Sequence, residues 1–201
     1  MTAPAASSTG TPASSTGTPA SSAGTTASAN GTPASAARVR PEFRTPRVED
    51  APALWELVDG ADELDNNSPY YYALWCRDFA ATSLVATVDD EVIGFLTGYV
   101  RPDEPDTYLV WQEAVRPRHG IPMLGVQLFE RAADRAVEQG ARFIEATVSA
   151  DNKAIIMVLK KVAKRYAAEV ETRILFPGDL FPGEHHDEVL YRIGPLAPRA
   201  G

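Results

Sequence analysis

The chain has 201 residues, with 27 acidic against 19 basic side chains and a formal net charge of -8. That balance argues against a nucleic-acid partner, whose phosphates call for the opposite sign, and is compatible with a cationic substrate. The lone cysteine, Cys76, excludes an intramolecular disulfide and fits a reducing cytoplasm, and no apolar run is long enough to span a membrane.

Residues 1 to about 38 contain only Ala, Ser, Thr, Gly, Pro and Asn apart from Met1 and Arg38. The heptapeptide Ser-Ser-Thr-Gly-Thr-Pro-Ala occupies 7–13 and again 14–20, then decays. A seven-residue period without apolar positions is no coiled coil and cannot bury enough surface to offset chain entropy, so a disordered tail is expected. It has neither the basic start nor the apolar core of a signal peptide. The expected folded unit is a single domain over 39–196, with 197–201 as a short C-terminal tail.

Within that domain a short extended segment follows Arg40. Thr45-Pro46 reads as a cap and first-turn pair, and Ala51, Leu54, Trp55 and Val58 keep helical spacing, predicting a helix over 46–59. Ser68-Pro69 is a second start signal, for a helix over 69–80 in which Cys76 is a buried structural thiol. Strands are predicted over 83–88, 92–100 and 108–115, the last after a loop rich in Pro and Asp. Leu124, Leu128, Ala132 and Ala136 mark a helix over 123–139 that Gly140 stops. A strand over 143–148, a helix over 152–167 and strands over 170–176 and 188–193 complete the string. Such an order packs most economically as an α/β mixed sheet with helices on both faces.

The most informative stretch is 61–75, Ala-Asp-Glu-Leu-Asp-Asn-Asn-Ser-Pro-Tyr-Tyr-Tyr-Ala-Leu-Trp. Carboxylates, amides and phenols crowd one loop and helix start, a wall suited to a small cationic amine; the plain alternative is a polar loop before an aromatic packing helix. Acyl transfer to an amine needs a neutral nitrogen, a place for the developing oxyanion, and a thiolate leaving group that can take up a proton. A free alkylamine has a pKa near about 10, so an acceptor base or a solvent path must remove its proton. Carboxylates such as Asp65 and Glu188 could hold the ammonium form and receive that proton. Trp111, Glu113 and Val115 alternate onto one face of their strand, which points Glu113 the same way as Trp111. His185 and His186 beside Asp187 and Glu188 look superficially like metal ligands. Adjacent histidines point apart, however, and only His119 remains, so no metal site is expected.

Four segments in order carry a resemblance: Leu64 to Tyr72; Trp75-Cys76-Arg77-Asp78-Phe79 leading into Gly94-Phe95-Leu96-Thr97-Gly98-Tyr99; Leu109-Val110-Trp111-Gln112; and Leu180 to Ile193. Together they resemble the diaminobutyrate acetyltransferases of the ectoine pathway, within the GNAT acetyltransferase superfamily. The resemblance implies a GNAT-like, mostly antiparallel sheet flanked by helices on both faces, acetyl-CoA as co-substrate and a homodimer. It implies a substrate pocket of Asp65, Tyr70, Trp111, His185 and Glu188, with Asp65, Glu188 and Tyr70 carrying the chemistry. On the coenzyme side it points to Ala114, Val115, Gly120, Leu124, Gly125 and Asn152.

The chain departs from that pattern on the coenzyme side. Where the family reads approximately His-Arg-Gly-x-Gly-Leu-Gly before the third helix, this sequence reads His119-Gly120-Ile121-Pro122-Met123-Leu124-Gly125. Glu113 replaces an apolar residue, and Leu159 stands where many superfamily members have a catalytic tyrosine. The resemblance implies acetyl transfer to the side-chain amine of L-2,4-diaminobutyrate. The alternative is a non-catalytic relative that keeps the amino-acid pocket with impaired coenzyme binding.

Removing residues 1–37 is expected to leave folding and any activity unchanged, because that composition has nothing to bury. A melting temperature lowered by more than a few degrees on truncation contradicts it.

Overall fold

The computed structural model describes residues 40–59, 67–183 and 185–197. The predicted N-terminal tail, Asp65 and positions 198–201 lie outside the described residues. The strands are β1 (Glu42–Arg44), β2 (Leu84–Val88), β3 (Glu91–Arg101), β4 (Glu104–Val115), β5 (Phe143–Ser149), β6 (Glu169–Phe176) and β7 (Glu188–Gly194). The α-helices among the described residues are α1 (Ala51–Asp59), α2 (Pro69–Asp78), α3 (Leu124–Glu138) and α4 (Lys153–Tyr166). The strands form one sheet in the order β1-β2-β3-β4-β5-β7-β6. Every neighbouring pair is antiparallel except β4 with β5. This is the mixed sheet the element order predicts.

Local chemistry sets the helix starts. Ser68 is extended, its Oγ accepts the Tyr71 N–H at 3.4 Å, and Pro69 fills the first helical position, where no amide is needed. Asn152 caps α4 in the same manner, its Oδ1 accepting from Ile155 N–H at 3.2 Å. The first helix begins later than Thr45-Pro46 predicts. A 3-10 turn over Val48–Asp50 comes first, closed by Asp50, whose carboxylate accepts the Arg47 N–H and pairs with Arg44 at 2.6 Å. The Arg44 ion pair and the Arg47 amide outweigh the cost of burying Asp50 and hold its carboxyl below the usual range. The Pro- and Asp-rich segment after β3 is a tight turn rather than a loop, and β4 already starts at Glu104.

Alternation along the central strands feeds two cores. Leu84, Ala86 and Leu96 join α3 and α4 on one face, and Val85 and Phe95 join α1 and α2 on the other. Cys76 lies in the second core, where burial pushes its thiol up to about 11 and keeps it unreactive.

One irregularity shapes the middle of the sheet. The β3–β4 register runs Thr97 opposite Gln112 and then Gly98 opposite Val110, so Trp111 is an extra residue in a β-bulge. The bulge reverses the in–out alternation. Trp111 packs on α2, with ring centroids 5.6 Å from Trp75 and 6.3 Å from Tyr71, while Glu113 turns to the other face beneath Gly125 of α3. The expectation that Glu113 points with Trp111 is therefore corrected: strict alternation fails across a bulge.

Gly98 makes the bulge possible, since a Cβ there would sit 2.2 Å from the Tyr108 hydroxyl and 2.7 Å from the Leu109 carbonyl oxygen. Gly98→Ala is expected to destabilise the fold by about 1–3 kcal/mol, because the Leu109 backbone cannot yield. Urea denaturation with an unchanged midpoint contradicts this.

Candidate active site

Parallel pairing between β4 and β5 runs from Thr107 opposite Phe143 to Val110 opposite Ala146. Both strands continue beyond it, β4 to Val115 and β5 to Ser149, with β5 paired only to β7. The two strands splay, and the facing edges leave backbone N–H and C=O groups without a partner strand. A cleft of about 420 Å³ opens there, lined among others by Asn67, Trp111, Glu113, Asn152, His185 and Glu188. Four of the side chains singled out from sequence, Trp111, His185, Glu188 and Asn152, thus meet in one cleft, although 77 residues of sequence (188 − 111) separate the outermost two.

Aromatic rings build one wall. Trp111 is half exposed and lies in a tilted stack with the buried Trp75, which Phe79 backs at 4.6 Å. Trp75 Nε1–H donates to Ser83 Oγ at 3.1 Å, which fixes the stack. Tyr72 O–H donates to Gln112 Oε1 at 3.1 Å and also interacts with Asn67, tying the end of the polar loop to β4. Tyr70 is 73 % exposed and does not line the cleft, whereas the Tyr71 ring packs on Trp75 and Trp111. Burial raises the Tyr71 phenol above its ordinary range, which keeps it protonated.

His185 and Glu188 come from the segment joining β6 to β7. The His185 ring stacks on Phe181 with centroids 4.1 Å apart, and Nδ1 lies 2.6 Å from the His186 carbonyl oxygen. A carbonyl oxygen only accepts, so Nδ1 carries a proton in this contact and Nε2 is the ring nitrogen left to face a ligand. Gly178 N–H donates to Asp187 Oδ1 at 2.8 Å, and a Cβ at Gly178 would meet the His185 carbonyl oxygen at 2.1 Å, so this segment is closely packed. Glu188 opens β7 opposite Ser149.

The residues proposed for a coenzyme gather at the other side. α3 begins at Leu124, so the amides of Leu124, Gly125 and Val126 have no carbonyl partner within the helix and point outward at its positive end. Leu124 itself is buried in the core, and Ala114 packs with α1 and α2, so each could serve a ligand only through its backbone. Gly120 has a φ of +77° with open space around it, and Val115 is exposed. The Ile121 amide is taken by His119 Nδ1 at 3.0 Å, and the Ile121 side chain is drawn into the core.

A cation that reading along the sequence misses stands here: Lys161 Nζ of α4 lies 3.9 Å from Met123 Sδ, at the entrance to α3. Free helix-start amides, a nearby lysine and an unpaired strand edge form a donor set that fits a phosphate-bearing, amide-rich chain such as coenzyme A. Among the described residues no group of three or more His, Cys, Asp or Glu side chains could hold a metal ion.

Glu113 is the anomaly of the cleft. Both carboxyl oxygens are shielded from solvent and have no hydrogen-bond partner among the described residues, and burial pushes the group up to about 8.

Residues 31–163 match the family model described as the Acetyltransferase (GNAT) family. An L-2,4-diaminobutyric acid acetyltransferase of Streptomyces coelicolor is 47 % identical over 165 residues, covering 81 % of this chain and 97 % of that protein. The one from Nocardia farcinica is 43 % identical over 154 residues, covering 77 % and 80 %. The chain belongs to the diaminobutyrate acetyltransferase family. Among solved structures, diaminobutyrate acetyltransferase EctA from Paenibacillus lautus, in complex with its substrate L-2,4-diaminobutyric acid and coenzyme A, superposes with a TM-score of 0.75 at 30 % identity. That match covers 81 % of this chain and 99 % of the other. The ribosomal-protein-S18-alanine N-acetyltransferase from Escherichia coli shares the fold, with a TM-score of 0.62 at 18 % identity.

For this member of the diaminobutyrate acetyltransferases, Glu113 predicts a stability signature. A carboxyl raised from 4.5 to about 8 stays protonated in the folded state while the unfolded chain ionises. The folded state then binds more protons than the unfolded between those values, so stability falls as pH rises from about 4.5 to about 8 and levels off above. Glu113→Gln is expected to flatten that slope, by on the order of 5 kcal/mol between its ends. Denaturant midpoints at a series of pH values check it; parallel profiles for the two proteins refute it.

Proposed function

We propose that the chain transfers acetyl from acetyl-CoA to the side-chain (N4) amine of L-2,4-diaminobutyrate, giving N4-acetyl-L-2,4-diaminobutyrate. The observation that carries this reading is the near full-length likeness to diaminobutyrate acetyltransferases, joined to a cleft lined by Trp111, His185 and Glu188. In the same reading the reaction is the acetylation step of ectoine biosynthesis, serves the response to osmotic stress, and is carried out by a cytoplasmic homodimer.

The reading gives the proposed residues their roles. Glu188 and Asp65 hold the ammonium groups of the diamino acid through charge-assisted hydrogen bonds, and Trp111 closes over its methylenes. His185 completes the polar contacts, and Tyr70, which lies outside the cleft lining, is given no part in them. An alkylammonium must lose a proton before its nitrogen can attack, and His185 Nε2, Glu188 or water relayed by them accepts it. The N–H groups on the open edge of β4, near Trp111 to Val115, polarise the acetyl carbonyl. The amides at the start of α3, with Gly120, Gly125, Lys161 and Asn152 around them, hold the phosphates and the amide-rich arm. Acetyl-CoA supplies the activated acetyl group. A non-catalytic role drew its motive from the altered segment Gly120 to Met123. With helix-start amides and Lys161 available to phosphate, the enzymatic reading is the better supported.

The test is turnover of L-2,4-diaminobutyrate with acetyl-CoA, the regiochemistry read by NMR of the product. Asp65→Ala and Glu188→Ala are each expected to lower kcat/KM for the amine ten- to a hundredfold, roughly the 1.5–3 kcal/mol of one charge-assisted contact, with coenzyme affinity kept. Variants that handle the amine normally but lose coenzyme affinity reverse the assignment of the two sides.

A further inference from the structure

We propose that Glu113 is the proton donor to the departing thiolate sulfur in acetyl transfer. The inference rests on the acetyltransferase reading above and gives the chain a catalytic group that neither the motif resemblance nor the family names contain.

The geometry is unusual for a carboxyl group. Both oxygens are shielded from solvent beneath Gly125 and have no partner among the described residues, and the residue belongs to the lining of the cleft. A buried acid with no partner costs stability, since protein polar groups out of water are nearly always hydrogen-bonded. Among the described residues nothing offsets that cost. The β-bulge at Trp111 turns Glu113 away from the aromatic wall, and Gly125 lets the helix start close over it: a Cβ at 125 would lie 2.9 Å from Glu113 Oε1. Glu113 therefore sits on the side with the helix-start amides, while His185 and Glu188 border the amine.

That division suits the two protons the reaction must move. The amine gives one up as its nitrogen bonds to the acetyl carbon. The carbon–sulfur bond breaks with its electron pair leaving on sulfur, and the sulfur needs a proton. Glu113, neutral before the step, supplies it from a carboxyl oxygen and is left as carboxylate; the proton released from nitrogen or from solvent restores it. No other reactant is required. The position where many superfamily members carry a tyrosine acid is Leu159, fully buried in the core.

The electrostatics agree. Burial alone raises Glu113, to about 8, which is close to an ordinary thiol at about 8.5. Transfer between matched groups is the efficient regime for general acid catalysis. Gly125 packs against it, and the titratable groups that share the cleft lining with it are His185 and Glu188.

Glu113→Gln keeps the shape and removes the proton. Thiol release is followed across pH with diaminobutyrate, and again with water as the acceptor, so that a wrong amine does not obscure the result. The expected outcome is a kcat lowered about a hundredfold with KM for acetyl-CoA within about twofold, and loss of the alkaline limb near pH 8 that the parent shows. Glu113→Asp, a shorter acid, is expected to keep that limb at reduced rate. Calorimetry with free coenzyme A, in buffers of different ionisation enthalpy near pH 8, is expected to give different proton counts for parent and Gln variant, because acid and thiol titrate together. Parent kcat at every pH in the Gln variant, a defect confined to KM, or identical proton counts overturns the proposal. A parent that releases thiol to water but ignores diaminobutyrate would instead overturn the choice of amine.

Discussion

Parallel pairing between β4 and β5 stops at Val110 and Ala146, and the rest of the site depends on where it stops. Below that rung the sheet is closed and its residues are core. Above it two strands diverge, each still held on its outer side, β4 by β3 and β5 by β7. The edge groups exposed between them are a place in the sheet's interior where a ligand can find backbone donors and acceptors. A helical crossover separates β4 from β5, as parallel strands require, and that crossover is α3, so its positive N-terminus starts just past the open end of β4.

The closed end is secured by charge. Glu145 of β5 is almost wholly buried and pairs with Arg101 of β3 and Arg192 of β7, and both arginines also reach Glu104 of β4. Breaking such a cluster by removing one partner strands an uncompensated charge, so the four strands are held together at this end. Register at the base fixes where divergence begins. The bulge then decides what each residue above the base faces: an aromatic wall on the α1–α2 side, an acid on the α3–α4 side.

What was legible in the sequence follows from range. Ser68-Pro69 and Asn152 cap helices through contacts three residues away, and the apolar period of α3 needs no partner to be recognised. The mixed sheet follows from the order of such elements. The bulge is different in kind, because it exists only as a mismatch between β4 and β3, and so alternation along β4 alone misplaces Glu113. The 3-10 turn before α1 likewise depends on Arg44 reaching Asp50. Trp111, His185 and Glu188 have no local signal that joins them, and only the resemblance names them together as a pocket; the fold then brings them to one cleft. Lys161 carries no motif at all, since it reaches the entrance of α3 from a helix 38 residues further on.

The aromatic stack has an optical consequence. The chain has three tryptophans, and Trp75 and Trp111 lie close enough to share excitation, 5.6 Å between ring centroids. Trp75 is buried with its indole N–H bound to Ser83, and its emission is set by the protein interior. Trp111 is half in water and forms part of the cleft, so whatever fills the cleft changes the medium around its ring. Occupancy is thereby written into the colour and quenching of the protein's own fluorescence, without a label.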